Sequence, residues 1–209
     1  MSEKMGWDRP VLTKLETADE LFSLFSDEEK LKNFLYMDPQ SAVKRENQMK
    51  DDEFSLDIPY EEIKKVVENE RDRFLQCLKE HDKSQVQWEH VGSTSIKGMP
   101  GTLVPDALLI VPEFPPSRNI IQAFLDLGFY FGRASLLDSK DLWFFRYLRE
   151  GFLKSTCRDL CRTEKWAFED YAGAKIAAYK NASTLLDYKK GKGENSKLLQ
   201  MLREKYNDN

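Results

Sequence analysis

The stretch VQWEHVGSTSIKGMPGTLVPDALLIV, residues Val86 to Val111, places one apolar run before a loop of small residues and a second apolar run after it. In the first run, Val86, Trp88 and Val91 are β-formers with polar residues between them, which favours a strand. The second run, from Leu103 to Val111, is nearly continuous leucine, valine and isoleucine. The pattern predicts a hairpin-like pair of strands, and the second strand is expected to be fully buried.

The loop between the two runs has the composition of an anion cradle. We call it the Gly-Ser loop, and its members are Gly92, Ser93, Thr94 and Ser95. Small residues let a phosphate approach backbone N–H groups closely, and the hydroxyls add hydrogen-bonding capacity. Asp106 stands near the start of the second run, where a carboxylate could hold Mg²⁺ that bridges the phosphates. Two plainer interpretations stay open: an ordinary turn for the loop and a solvated strand-entry position for Asp106.

The composition is that of a globular chain. Its 209 residues are 41% apolar, enough to bury a core in one main domain with an appendage. No segment resembles a transmembrane helix, and the start MSEKMGWDRP lacks the features of a secretory signal, so a cytoplasmic location is expected. Three cysteines do not form a disulfide framework, and Cys157 and Cys161 lack a second ligand pair for zinc. Cys77 is expected to be a small buried residue, and His90 can be either a packed or a catalytic histidine.

The charge is uneven along the chain. The formal net charge is −4, but residues 151–209 hold 12 basic and 8 acidic side chains. Overall acidity argues against general nucleic-acid binding, whereas a basic C-terminal part could neutralise a phosphorylated small molecule. A solvated lysine-rich helix face is the alternative.

Helical patterns flank the strand pair. Residues 1–58 form a helical and linker extension, in which Thr17 and Glu20 have the spacing of a capping box. Its phenylalanine stripe could dock on a protein partner or pack on its own domain. A strong helix is predicted from Pro59 to about His81, with Asp57 as its cap. With a helix following the strands, the order predicts an α/β (α+β) fold with a main domain over residues 59–209.

The segment Trp88-Glu89-His90-Val91-Gly92-Ser93-Thr94-Ser95-Ile96-Lys97-Gly98-Met99-Pro100 resembles the signature of the GrpB-like family. This family belongs to the nucleotidyltransferase-fold superfamily, in which a Gly-Ser loop holds nucleotide phosphates and strand carboxylates bind metal. Further similarity runs through Trp143-Phe144-Phe145-Arg146, the Arg158–Arg162 motif, Tyr171 with Lys175, and Tyr188 with Lys192. The resemblance covers roughly residues 59–205.

The resemblance implies a mixed sheet flanked by helices that binds a nucleoside triphosphate and Mg²⁺, with transfer of a nucleotidyl group to an unknown acceptor. Asp106 would hold the metal, and Asp106 and Ser93 are the catalytic candidates. The ligand-binding candidates are Gly92, Ser93, Thr94, Ser95, Arg146, Tyr171, Lys175, Tyr188 and Lys192. Because residues four apart share a helix face, each Tyr-Lys pair could point a phenol and an ammonium into the cleft; ordinary packing is the alternative.

The chain departs from the family pattern in three places. It lacks a strand bearing His-x-His after Gly151, and Thr102 stands where the family tends to carry lysine. In Asp106-Ala107-Leu108, the second acid expected in the superfamily's Asp-x-Asp is absent. Three hypotheses therefore stay open: a nucleotidyltransferase, a catalytically degenerate binding or regulatory module, and an interaction adaptor that uses the N-terminal helices.

Overall fold

The structure is a computed structural model that describes residues 17–25, 54–113, 116–127, 129 and 148–207. Helices dominate this part of the chain and surround two small antiparallel sheets, which confirms the α/β (α+β) class. The helices are α1 Ala18–Phe25, α2 Tyr60–Cys77, α3 Glu80–Lys83, α4 Arg118–Asp126, α5 Leu148–Thr163, α6 Lys165–Asn181, α7 Leu185–Glu194 and α8 Lys197–Asn207. The strands are β1 Phe54–Ser55, β2 Gln87–Val91, β3 Gly101–Thr102 and β4 Asp106–Ile110. Residues 129–131 and 142–148 also have the clustered aromatic residues typical of strands, but they fall largely outside the described residues.

The predicted strand pair is the antiparallel ladder of β2 and β4. Its register places Gln87 opposite Ile110 and Val91 opposite Asp106. The second strand begins at Asp106, because Pro105 has no N–H to donate to a ladder. The prediction of full burial was wrong: no residue of β4 is fully buried, and the side chains of Leu103 and Val104 before it are 46% and 43% exposed. An apolar run predicts a strand, but burial also requires neighbours on both faces.

Helix α2 packs its apolar side chains against this ladder. Ile63, Val67 and Phe74 are buried. Phe74 lies 5.5 Å from Trp88 and 4.4 Å from Phe124 of α4, measured between ring centroids. These aromatic contacts form the core that fixes β2 and, with it, the entry to the Gly-Ser loop.

The ends of α2 differ from the prediction. Asp57 is not the cap, because the helix begins one residue after Pro59 and no side chain caps it. The helix stops at Cys77 rather than near His81, since Leu78 takes an extended conformation that buries its own side chain. Cys77 is exposed at this end and is not the buried residue that was predicted.

Two elements from the N-terminal part of the chain, α1 and β1, pack on or pair with elements that follow them. The predicted capping box is confirmed: the Glu20 N–H donates to the Thr17 hydroxyl, and the Thr17 N–H donates to the Glu20 carboxylate. Helix α1 buries Leu21 and packs on α4, where Arg118 forms an ion pair of 2.6 Å with Asp19. Docking on a partner protein stays a prediction. Strand β1 pairs with β3, so Phe54–Ser55 of the predicted extension is joined to the segment just after the Gly-Ser loop.

Helices α5, α6 and α8 pack against the segment that follows the Gly-Ser loop. Ile96 and Met99 pack on Cys157, Tyr171 and Leu198 in one buried cluster. The three cysteines are free thiols, as expected. Within the described ranges, no helix is long and apolar enough to cross a membrane.

Asp170 of α6 holds the start of α8. Its carboxylate accepts hydrogen bonds from the Ser196 hydroxyl at 2.8 Å and from the backbone N–H of Leu198 at 3.0 Å. Backbone N–H groups in the first turn of a helix, such as that of Leu198, have no partner within the helix. We expect Asp170→Ala to lower the free energy of unfolding by about 1–2 kcal/mol and Asp170→Asn by less, measured by urea denaturation. Equal stability of Asp170→Ala and the wild type would contradict the capping role.

Candidate functional site

The Gly-Ser loop and Asp106 are in direct contact. Gly92 has φ 73° and ψ −173°, a conformation that is essentially restricted to glycine. A Cβ at this position would collide with the Asp106 carboxylate, and it would lie 3.1 Å from the Asp106 Cβ. Only the absence of a side chain lets the first residue of β4 approach the loop this closely. The two features that the sequence singled out therefore share one location.

The rest of the loop is a single 3₁₀ turn, Ser93–Ser95, whose hydroxyls have different orientations. The Thr94 hydroxyl lies 3.0 Å from the His90 ring, and the Ser95 hydroxyl donates to the Gly92 carbonyl at 2.7 Å. Both residues are fully buried, whereas Ser93 is half-buried. Gly92 and Ser93 are thus the members of the loop best placed to meet a ligand.

His90 is a packed histidine. Burial lowers the pKa of its ring, and the nearby Arg162 guanidinium adds to this effect. The charge of Asp106 has the opposite effect and raises the pKa of the ring. The hydrogen bond between the His90 ring and the Thr94 hydroxyl ties the end of β2 to the loop. This geometry matches the packed interpretation rather than the catalytic one.

Lys175 lies directly beneath the loop and is 1% exposed. Its ammonium donates to the Pro100 carbonyl at 2.8 Å. A Cβ at Gly101 would collide with that ammonium and lie 2.8 Å from the Ser93 hydroxyl. Lys175 and Ser93 therefore converge over Gly101. Burial holds the pKa of Lys175 well below its usual range, and the charge of Lys192 lowers it further.

The two Tyr-Lys pairs do share helix faces, as their spacing predicts. The Lys175 ammonium lies 4.9 Å from the centroid of the Tyr171 ring, and that of Lys192 lies 5.6 Å from the Tyr188 ring. Burial raises the pKa of both phenols. Among the described residues, the buried Tyr188 hydroxyl has no hydrogen-bond partner, so it is one donor that a bound ligand could satisfy.

Two arginines that the sequence analysis did not select as site residues hold the loop from helix α5. Arg158 donates to the Glu89 carboxylate at 2.8 Å and to the His90 carbonyl at 3.1 Å. Arg162 donates to the Ser95 carbonyl at 2.6 Å. Their i, i+4 spacing in Arg-Asp-Leu-Cys-Arg could have indicated a pair on one helix face. It could not have identified the backbone groups that the pair binds.

The site as a whole brings together Gly92, Ser93, Asp106 and Lys175, with the Tyr188–Lys192 pair beside them. The predicted role of Arg146 falls on a residue outside the described part of the chain. Among the described residues, no three His, Cys, Asp or Glu side chains are grouped to hold a metal. A single carboxylate such as Asp106 could still hold Mg²⁺, because this ion commonly takes most of its oxygen ligands from water and phosphate.

A groove of about 350 Å³ lies at the start of α2, and Asp106 is not among the residues that line it. Its lining includes Asp57, Glu61, Glu62 and one lysine, Lys97. Three carboxylates against one ammonium disfavour a phosphate there. The groove is therefore a poorer nucleotide site than the loop.

A comparison with protein families matches residues 56–200 of the chain to the family described as GrpB protein. No curated protein and no solved structure matches the chain.

Proposed function

The chain belongs to the GrpB family, and from that premise we propose that it binds a nucleoside triphosphate with Mg²⁺ and transfers the nucleotidyl group to an acceptor. The observation that carries the proposal is the contact between the Gly92 backbone and the Asp106 carboxylate. A phosphate-binding loop and a metal-binding carboxylate would need to be adjacent, because a bound ion offsets the charge of the phosphates. Gly92 lets the loop and the Asp106 carboxylate approach each other closely, which supports the proposal.

The phosphates would lie over Gly92 and Ser93. Backbone N–H groups at the start of a helical turn have no partner within the turn and can donate to a phosphate. The ammonium of Lys175 lies beneath Ser93, and that of Lys192 lies close enough to affect the pKa of Lys175. Both would offset phosphate charge. Protonation of Lys175 would become more favourable once a phosphate is bound.

Asp106 would hold Mg²⁺, which neutralises phosphate charge when bound. In the transfer, an acceptor hydroxyl oxygen forms a bond to the α-phosphorus. The bond from that phosphorus to the β-phosphate oxygen breaks, and pyrophosphate leaves with the electron pair. The acceptor proton passes to water. Positioning by Ser93 and Lys175 keeps the α-phosphorus in line with the acceptor.

A second candidate function is nucleotide binding without transfer. It is favoured by Leu108, which stands at the second acid position, and by the absence of a three-ligand group among the described residues. A protein of this kind would bind the same nucleotide and release it unchanged.

The experiment is titration calorimetry with each nucleoside triphosphate, with and without Mg²⁺. We expect Mg²⁺-dependent binding that weakens by at least about tenfold in Asp106→Asn, because the variant loses a ligand carboxylate. Asp126→Asn, an exposed position at the end of α4, is the matched control and should bind as the wild type does. Mg²⁺-dependent binding that survives in Asp106→Asn would refute the metal role. Release of pyrophosphate in the presence of candidate acceptors separates transfer from binding alone.

A further inference from the structure

The short strand β1 joins the N-terminal part of the chain to the candidate site. Its pairing places Phe54 opposite Thr102 and Ser55 opposite Gly101 of β3. In the part of the chain that the structure describes, β3 has no other strand partner. The position of Gly101 therefore depends on β1.

The backbone at β3 lies against the Lys175 ammonium. A Cβ on Gly101 would collide with this ammonium and would lie 2.8 Å from the Ser93 hydroxyl. The carbonyl of Pro100, the residue before β3, accepts the hydrogen bond that the ammonium donates at 2.8 Å. A movement of β3 would therefore change the surroundings of the ammonium and of the Ser93 hydroxyl together.

The ring of Phe54 holds β1 in place. It stacks on Tyr179 of α6, with ring centroids 4.2 Å apart and ring planes 13° apart, and it meets Tyr188 of α7 edge-on at 5.1 Å. It also packs against the buried cluster that includes Ala178 and Leu185. An isolated two-stranded ladder is marginally stable at best, and β1 is only two residues long, so its side-chain contacts must supply the stability.

We propose that Phe54 is a positioning residue: by fixing β3, it holds the Lys175 ammonium and the Ser93 hydroxyl in the arrangement that receives the phosphates. This inference rests on the proposed function. Tyr188, which Phe54 contacts, also carries the Lys192 ammonium over its ring at 5.6 Å. Both lysines of the proposed phosphate site are thus linked to the same phenylalanine.

The test combines nucleotide affinity with a direct readout of Lys175. Titration calorimetry with ATP and Mg²⁺ gives the affinity of the full chain. NMR of protein with isotope-labelled lysine gives the ε-carbon resonance of Lys175, which is assigned by its loss in Lys175→Met. We expect Phe54→Ala to weaken nucleotide binding by at least about tenfold, because small displacements of binding groups have large effects. The Lys175 resonance should move toward that of the exposed Lys180.

Two further variants separate positioning from a general loss of packing. Phe54→Tyr keeps the ring and should restore both readouts relative to Phe54→Ala. Leu56→Ala is the matched control, because it removes an apolar side chain that is 63% exposed from the same segment, and it should leave both readouts unchanged. Thermal melting verifies that each variant is folded. If Phe54→Ala does not fold, Phe54→Leu takes its place, since it keeps apolar volume and removes both ring contacts.

Wild-type affinity or an unmoved Lys175 resonance in the folded Phe54 variant would overturn the inference, as would a loss that Phe54→Tyr does not restore. The outcome is separable from that of the proposed function. If the wild type binds no nucleotide but the Lys175 resonance moves in Phe54→Ala, the result supports the positioning of Lys175 and rejects the nucleotide. Nucleotide binding that requires Asp106 but is unchanged in Phe54→Ala supports the proposed function and rejects the role of Phe54.

Discussion

Replacement of Gly92 by alanine is expected to lower the free energy of unfolding by about 2–4 kcal/mol and to abolish Mg²⁺-dependent nucleotide binding. Two causes add. The backbone of Gly92 lies at φ 73° and ψ −173°, where a residue with a side chain is strained. The new methyl group would also collide with the Asp106 carboxylate. Either the loop or the first residue of β4 must then move, and each change separates the Gly-Ser loop from Asp106, the proposed phosphate and metal sites.

Gly173→Ala is the matched control for this variant. Gly173 lies within α6, where an added Cβ would meet no atom within 4 Å. Alanine at an unobstructed helix position stabilises by about 0.5–1 kcal/mol relative to glycine. Urea denaturation of both variants gives the two free energies, and calorimetry gives nucleotide affinity. If Gly92→Ala is as stable as Gly173→Ala, the close approach of Asp106 to the loop is not required for the fold.

Lys175→Met is expected to make the stability of the protein less dependent on pH. The pKa of Lys175 is well below 10.5 in the folded chain, chiefly because of burial. Between the lowered pKa and 10.5, the unfolded chain binds more protons than the folded chain, so stability rises with pH across that window. Methionine fills a similar volume without a charge, so the variant should lose this contribution and be more stable than the wild type at the acidic end.

The measurement compares unfolding of the two proteins from about pH 6 to about pH 9, below the range in which tyrosines titrate. The contribution of His90 is common to both proteins and cancels in the difference. Lys180→Met removes a lysine from an exposed position on the same helix and should keep the wild-type pH profile. Nucleotide affinity should fall by at least about tenfold in Lys175→Met only. Parallel pH profiles for wild type and Lys175→Met would contradict the buried position of the ammonium.

Part of the candidate site is visible in the sequence because its determinants are local. The small residues of the Gly-Ser loop and the carboxylate at the start of a strand can be recognised directly, whereas the family resemblance indicated the Tyr-Lys pairs. The structure brings Gly92 and Asp106 into contact and stacks Lys175 and Lys192 on their tyrosines. Membership of the GrpB family, predicted from the signature, is confirmed.

The parts that could not be predicted depend on contacts between distant segments. Burial of β4 was overestimated because the sequence does not show how many layers cover a strand. The end of α2 was misplaced because tertiary packing of Leu78 outweighed the helical pattern. The position of Glu89 opposite Leu108 follows from the register, which no spacing within either strand specifies.

The contacts that hold the loop join segments that are far apart in the sequence. Arg158 is 69 residues from Glu89 in sequence, Arg162 is 67 residues from Ser95, and Lys175 is 75 residues from Pro100. Closing such large loops carries an entropic penalty before any contact compensates for it. We therefore expect the Gly-Ser loop to reach its native geometry only after helices α5 and α6 have docked on it.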